Sequence, residues 1–144
     1  MLSNGTVSYT APASGPDTLT HTVQDQYADQ ATGTVNITVD PGPTAATGND
    51  TVGHNKTVDL TSLINGQISG NTETLTTVSS AAGSAVLSNG TVSYTAPASG
   101  PDTPTHTVQD QYPDQATGTV NITVDTGPTA ATGSADKLFV LKAE

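Results

Sequence analysis

The amino-acid sequence predicts an all-β chain built of small antiparallel β-sandwich repeats, and three observations carry that expectation. Thr supplies 28 and Val 13 of the 144 residues, and both are β-branched, which suits a pleated strand better than a helix. Apolar and hydroxyl side chains alternate in short runs, so each run has one dry face. Residues 2–48 recur as residues 87–133 at an offset of 85, with Leu19, Ala28 and Pro41 replaced by Pro104, Pro113 and Thr126 as the three changes in 47 positions. A period of that length exceeds the roughly 20–50 residues of a solenoid turn and fits one β-domain per copy.

The repeat fixes the expected organisation. Residues 1–40 read as the rear part of one repeat, 41–49 as a Pro/Gly linker, 50–125 as a complete repeat, 126–136 as a second linker, and 137–144 as a divergent strand-like tail. Within the complete repeat, strands are expected at 56–60, 74–79, 84–88, 90–95, 103–109 and 119–124, with a short helical or turn segment near 60–64. Val92 and Tyr94 share one face of their run; Pro104, His106 and Val108 share a face of the next; Val120, Ile122 and Val124 share a face of the last. Turn chemistry separates them at Asn65-Gly66, Asn89-Gly90, 99–102 and 110–114. In the linker 40–48, Pro41 and Pro43 favour extended backbone and Gly42 and Gly48 permit bends, which describes a short semi-rigid spacer.

Composition narrows the function classes. Leu, Ile, Val and Phe make only 26 of 144 residues, a level at which disorder is the competing reading; their placement on alternating faces argues for strands instead. Thirteen acidic residues face three lysines, Lys56, Lys137 and Lys142, with no arginine and a formal charge of -10, so neither nucleic acid nor an anionic membrane is an expected partner. Without cysteine there is no disulfide, thiolate nucleophile or thiolate metal site. No apolar run approaches the roughly 20 residues of a membrane-spanning helix.

The candidate reactive side chains point away from an enzyme. His106 reads as a hydrogen-bonded filler beside Val108, and His54 as a solvated turn residue. Asp110 and Asp114 are paired carboxylates, yet both fall in one short loop with no substrate groove implied. Calcium is the more serious candidate, because hard cations want several oxygen ligands and the loop ends offer Asp102, Asp110, Asp114 and Asp125, with Asp17, Asp25, Asp29 and Asp40 as their counterparts in the first copy. The competing reading is that these acids keep loops solvated and neighbouring repeats apart. Asn-x-Thr triplets, among them those beginning at Asn4, Asn36, Asn55, Asn89 and Asn121, are what composition alone produces in a Thr-rich chain. Lys56, the lone lysine of the repeat, is the one candidate for a Lys–Asn isopeptide bond.

The order of blocks from Asp50-Thr51-Val52 through Gly90-Thr91-Val92-Ser93-Tyr94 to Thr119-Val120-Asn121-Ile122-Thr123-Val124 resembles the tandem immunoglobulin-like or cadherin-like repeats of giant bacterial surface adhesins. The resemblance covers residues 50–125 and again 2–40; Pro104 or Leu19 stands in place of the usual aromatic, and His106 or His21 in place of a Tyr. It implies an immunoglobulin-like sandwich, an extracellular or cell-surface location, a stalk role in adhesion or biofilm formation, and calcium at domain junctions, where Asp50 or Asp125 would contribute. The partners expected are neighbouring repeats of the same protein. Two alternatives accompany this reading. Tyr112 and its counterpart Tyr27 could present a loop to a carbohydrate or protein, or the tail at 137–144 could donate a strand to the incomplete leading repeat of another copy and build a fibre.

Overall fold

The computed structural model describes residues 2–133; the tail at 137–144, and the strand donation expected of it, lie outside the described residues. Among the described residues the fold is all-β, with 53% in strands and 4% in helix.

The leading copy forms two hairpins. β1 (Leu2–Ser3) pairs with β2 (Thr6–Val7) across Asn4-Gly5, and β3 (Gly15–Gln24) pairs with β4 (Gln30–Val39) in unbroken antiparallel register from Gly15↔Val39 to Gln24↔Gln30. Asn4 and Gly5 hold φ of 48° and 76°, the two left-handed positions of a tight hairpin turn. Asn89 and Gly90 repeat that geometry at 49° and 78° in the second copy.

The chain then enters the complete unit earlier than its composition suggests. β5 (Thr44–Ala45) pairs with β8 (Ile68–Ser69), and β6 (Thr47–Gly53) is already a strand, so most of the expected spacer is hydrogen-bonded backbone. The remaining elements are β7 (Thr57–Asp59), α1 (Thr61–Asn65), β9 (Thr74–Ser79), β10 (Ser84–Ser88), β11 (Thr91–Thr95), β12 (Thr105–Gln109) and β13 (Gln115–Asp125). Asn65-Gly66 closes α1 and does not make a hairpin, since the Gly66 amide bonds the Ser62 carbonyl at 3.1 Å. β12 begins two residues later than alternation predicts because Pro104 has no amide to donate. Its carbonyl still accepts from Val120 at 2.8 Å, and Asp102 bridges Ile122, so the register of the leading hairpin survives.

Two sheets face each other. One has the order β10-β11-β7, the other β6-β13-β12-β9. The expected wholly antiparallel pairing does not hold: β6 runs parallel to β13, from Thr47↔Thr119 to Gly53↔Asp125. First and last strands of the unit are neighbours that run the same way. The core between the sheets holds Val52, Leu60, Ile64, Val92, Tyr94, Ala96, Val120 and Ile122, with Val58, Leu63, Leu75 and Val78 packed against it. Alternation along the strands is kept, with Pro104, His106 and Val108 buried on one side of β12. Removing these side chains from water is the main favourable term available to so small a unit.

Candidate functional site

The most elaborate polar arrangement centres on Asp102. Its side chain is 5% exposed, set between the two sheets where the chain leaves the turn at 99–102. Oδ2 accepts hydrogen bonds from the Tyr94 hydroxyl at 2.8 Å, the Gly83 amide at 2.9 Å and the Ser80 hydroxyl, while Oδ1 accepts from Thr103 at 2.8 Å and Ala82 at 3.3 Å. Burial by itself would raise the Asp102 pKa, but the donors outweigh it and hold the carboxyl at about 2. Burial first, and the bond to Asp102 second, push the Tyr94 phenol well above its ordinary value. An ionised carboxylate with five donors is a structural anchor: it ties the 80–83 loop, β11 and the start of β12 together, and both of its oxygens are engaged.

Close packing at Gly83 and Gly118 completes the anchor. A Cβ on Gly83 would meet the Thr95 carbonyl and come within 2.9 Å of Asp102 Oδ2. A Cβ on Gly118 would lie 2.5 Å from the Ala46 carbonyl oxygen and 2.5 Å from His106 Nε2. His106, paired across the ladder with Gly118, is 1% exposed, and neither ring nitrogen has a hydrogen-bond partner. Burial lowers its pKa, so the ring is held neutral. The hydrogen-bonded filler expected from the sequence is therefore a filler without hydrogen bonds.

The other acids are spread over separate local motifs. Asp110 Oδ1 caps its own turn through the amides of Tyr112 at 2.8 Å and Asp114 at 3.0 Å. Asp125 Oδ1 accepts from Gly127 at 3.0 Å, and Asp50 Oδ1 from Thr51 at 2.8 Å. His54 is fastened to the end of β13, its amide 2.8 Å and its Nδ1 3.2 Å from the Asp125 carbonyl. Among the described residues no three His, Cys, Asp or Glu side chains come together so as to hold a metal ion. Lys56 is exposed, which denies it the buried setting that an isopeptide bond needs.

Among the described residues three carboxylate oxygens are buried without a partner: Asp40 Oδ2, Glu73 Oε1 and Asp110 Oδ2. Glu73 and Asp110 are the residues next beyond the last β9–β12 pair, Thr74↔Gln109, and Asn71 donates to Asp40 Oδ1 at 3.4 Å. Asp40 and Asp114 share a groove of about 280 Å³ with Ile37, Val39 and Tyr112, where the leading copy meets the complete unit. Sequence reasoning missed Glu73. The available signal was that it is the only glutamate in the repeat and directly precedes a strand.

Comparison with protein-family models gives no match for this chain. No curated protein is recognisably similar to it.

Proposed function

We propose that the chain is a spacer segment: immunoglobulin-like or cadherin-like repeats in the stalk of a bacterial surface adhesin, whose work is reach and resistance to pulling. The observation that carries this reading is the parallel pairing of β6 with β13 in a chain whose residues 2–48 return almost unchanged as residues 87–133. Because the two strands run in the same direction side by side, the chain enters the unit at one pole and leaves at the other. Serial copies then add length. The 11 residues of β13 span about 37 Å at about 3.4 Å per residue. Tension applied at the two poles loads all seven paired positions of β6 and β13 together, in shear, and does not peel them one at a time. The acidic surface, with -10 net charge, makes near-identical neighbours repel one another at long range.

Single-molecule stretching of the full chain between its ends tests this directly. Residues 47–125, 79 in all, should give one unfolding event. Its contour gain is the extended length of about 270 Å less the roughly 24 Å that the seven paired positions span between residues 47 and 125, hence roughly 245 Å. A featureless force–extension curve would overturn the spacer reading. A second reading is favoured by one observation: Tyr112 and Tyr27, 60% and 77% exposed, cap equivalent hairpin tips and are available to a carbohydrate or protein ligand. Binding on a glycan array that is lost in the Tyr27→Ala/Tyr112→Ala double variant would support it.

A further inference from the structure

Nearly the same 47-residue sequence occurs here in two environments, with three differences, and the same face is covered in one and open in the other. In the complete unit Val92, Tyr94 and Val120 are 1%, 0% and 0% exposed; their counterparts Val7, Tyr9 and Val35 are 53%, 37% and 47% exposed. The residues that cover Val92, Tyr94 and Val120, namely Val52, Leu60 and Ile64 with Val58, Leu75 and Val78, all come from the front half of the repeat, residues 47–86. Over the leading copy that face is an open apolar groove of about 450 Å³, lined by Leu2, Val7, Leu19, His21 and Val35 among others.

Much of the uncovered face already has the geometry of its covered counterpart, although β2 stops at Val7 where β11 runs on to Thr95. Tyr9 donates to Asp17 Oδ2 at 2.7 Å, matching the 2.8 Å bond from Tyr94 to Asp102. His21 lies over Gly33, where an added Cβ would come within 2.6 Å of its ring, as His106 lies over Gly118. Asp25 Oδ1 caps its turn at 2.8 and 3.0 Å, the same distances as at Asp110. The β3–β4 register equals that of β12–β13 when shifted by 85. A surface whose strands, turns and clasps stand ready loses little conformational freedom when it is covered.

We propose that the leading copy is a preformed receptor for the front half of another copy of this repeat, a segment with the sequence of residues 47–86. The occupant is specified by the complete unit, where that sequence covers that face. Recognition is apolar burial plus strand addition beside β3 and β4, the counterparts of which carry β9 and β6 in the complete unit. Charge does not attract the two pieces: residues 2–40 carry Asp17, Asp25, Asp29 and Asp40, and residues 47–86 carry Asp50, Asp59 and Glu73 against Lys56. Association should therefore tighten as salt rises.

The test uses the full chain with labelled methyl groups and an unlabelled peptide of residues 47–86. Saturable shifts are expected at the methyls of Val7, Leu19 and Val35, with those of Val92 and Val120 unmoved, and with roughly tenfold or greater slowing of amide exchange within β3 and β4. Val35→Asp, at an exposed position that leaves the complete unit intact, should abolish all of it. Because an isolated peptide can aggregate, a second chain carries residues 47–86 fused ahead of Leu2 and should bury Val7 and Val35 as Val92 and Val120 are buried. Exposed Val7 and Val35 in the fusion, or peptide shifts that persist in Val35→Asp, would overturn the proposal. So would a Val35-dependent dimer of the chain alone, which makes a second copy's own face the occupant. Groove methyls that shift when residues 134–144 are deleted would equally overturn it by naming the tail.

Discussion

At the scale of single residues, the interior is governed by two titratable groups in opposite circumstances. Asp102 is charged and fully provided with donors; His106 is neutral and provided with none. The carboxyl is held at about 2 against an ordinary 3.8, so ionised Asp102 contributes stability in full above about pH 4, which is lost as pH falls towards 2. The gap corresponds to about 2 kcal/mol. Denaturant midpoints measured from pH 5 to 2 should show that loss, and Asp102→Asn should be less stable at neutral pH and flatter across the same window. Tyr94→Phe, which removes one donor from a buried charge, should cost about 1.5–3 kcal/mol. His106 runs by a different route to the same acid sensitivity. Its folded pKa is lowered, so its contribution is complete above the ordinary 6.5 and declines below it as the unfolded chain takes up the proton. Replacing it with an apolar side chain, His106→Leu, should raise stability by about 1 kcal/mol and remove the dependence just below pH 6.5. Asp102 reads from the sequence as a solvated or metal-binding loop acid; its donors at Ser80, Ala82 and Gly83 lie about twenty residues away, and only folding brings them to it.

At the scale of elements, strands with strict alternation were legible and those built by pairing were not. β9 and β10 fall at the expected bounds, and the dry faces of β11, β12 and β13 are buried as their patterns require. β6 reads Thr-Gly-Asn-Asp-Thr-Val-Gly, which is turn chemistry by composition. It is a strand because β13 offers it a ladder and Val52 reaches the core. Propensity yields there to tertiary context. The two copies of the His–Gly cross-strand pair give a matched experiment. Gly118→Ala places its methyl against the fixed Ala46 carbonyl and should cost about 2–4 kcal/mol, in the range of overpacked or strained core sites. Gly33→Ala meets only the exposed His21 ring, which can swing aside, and should leave the thermal midpoint unchanged. Calorimetry on the two variants separates them.

At the scale of the whole molecule, the expected boundary at residue 50 moves to 47, and the linker becomes mostly paired backbone. The cooperative part of the chain is then residues 47–125, while the leading hairpins bury too little apolar surface to melt as a unit of their own. Thermal unfolding should give a single transition with an enthalpy of about 55 kcal/mol near 60 °C, the amount due to 79 residues. A value near 90 kcal/mol, expected if residues 2–133 unfolded together, would contradict this partition.

That unit of 79 residues draws its interior from within its own bounds, and its rear part, residues 87–125, repeats residues 2–40 at a spacing of 85 with hardly a change. A gene of this kind can recombine out of step with itself. Unequal crossover between aligned copies removes or inserts one period of codons, and wherever in the matched stretch the exchange falls, the seam reads as an intact unit. Under the spacer reading proposed above, length becomes a heritable variable that alters in whole increments and needs no compensating mutation, because the core of residues 47–125 takes no side chain from outside those bounds.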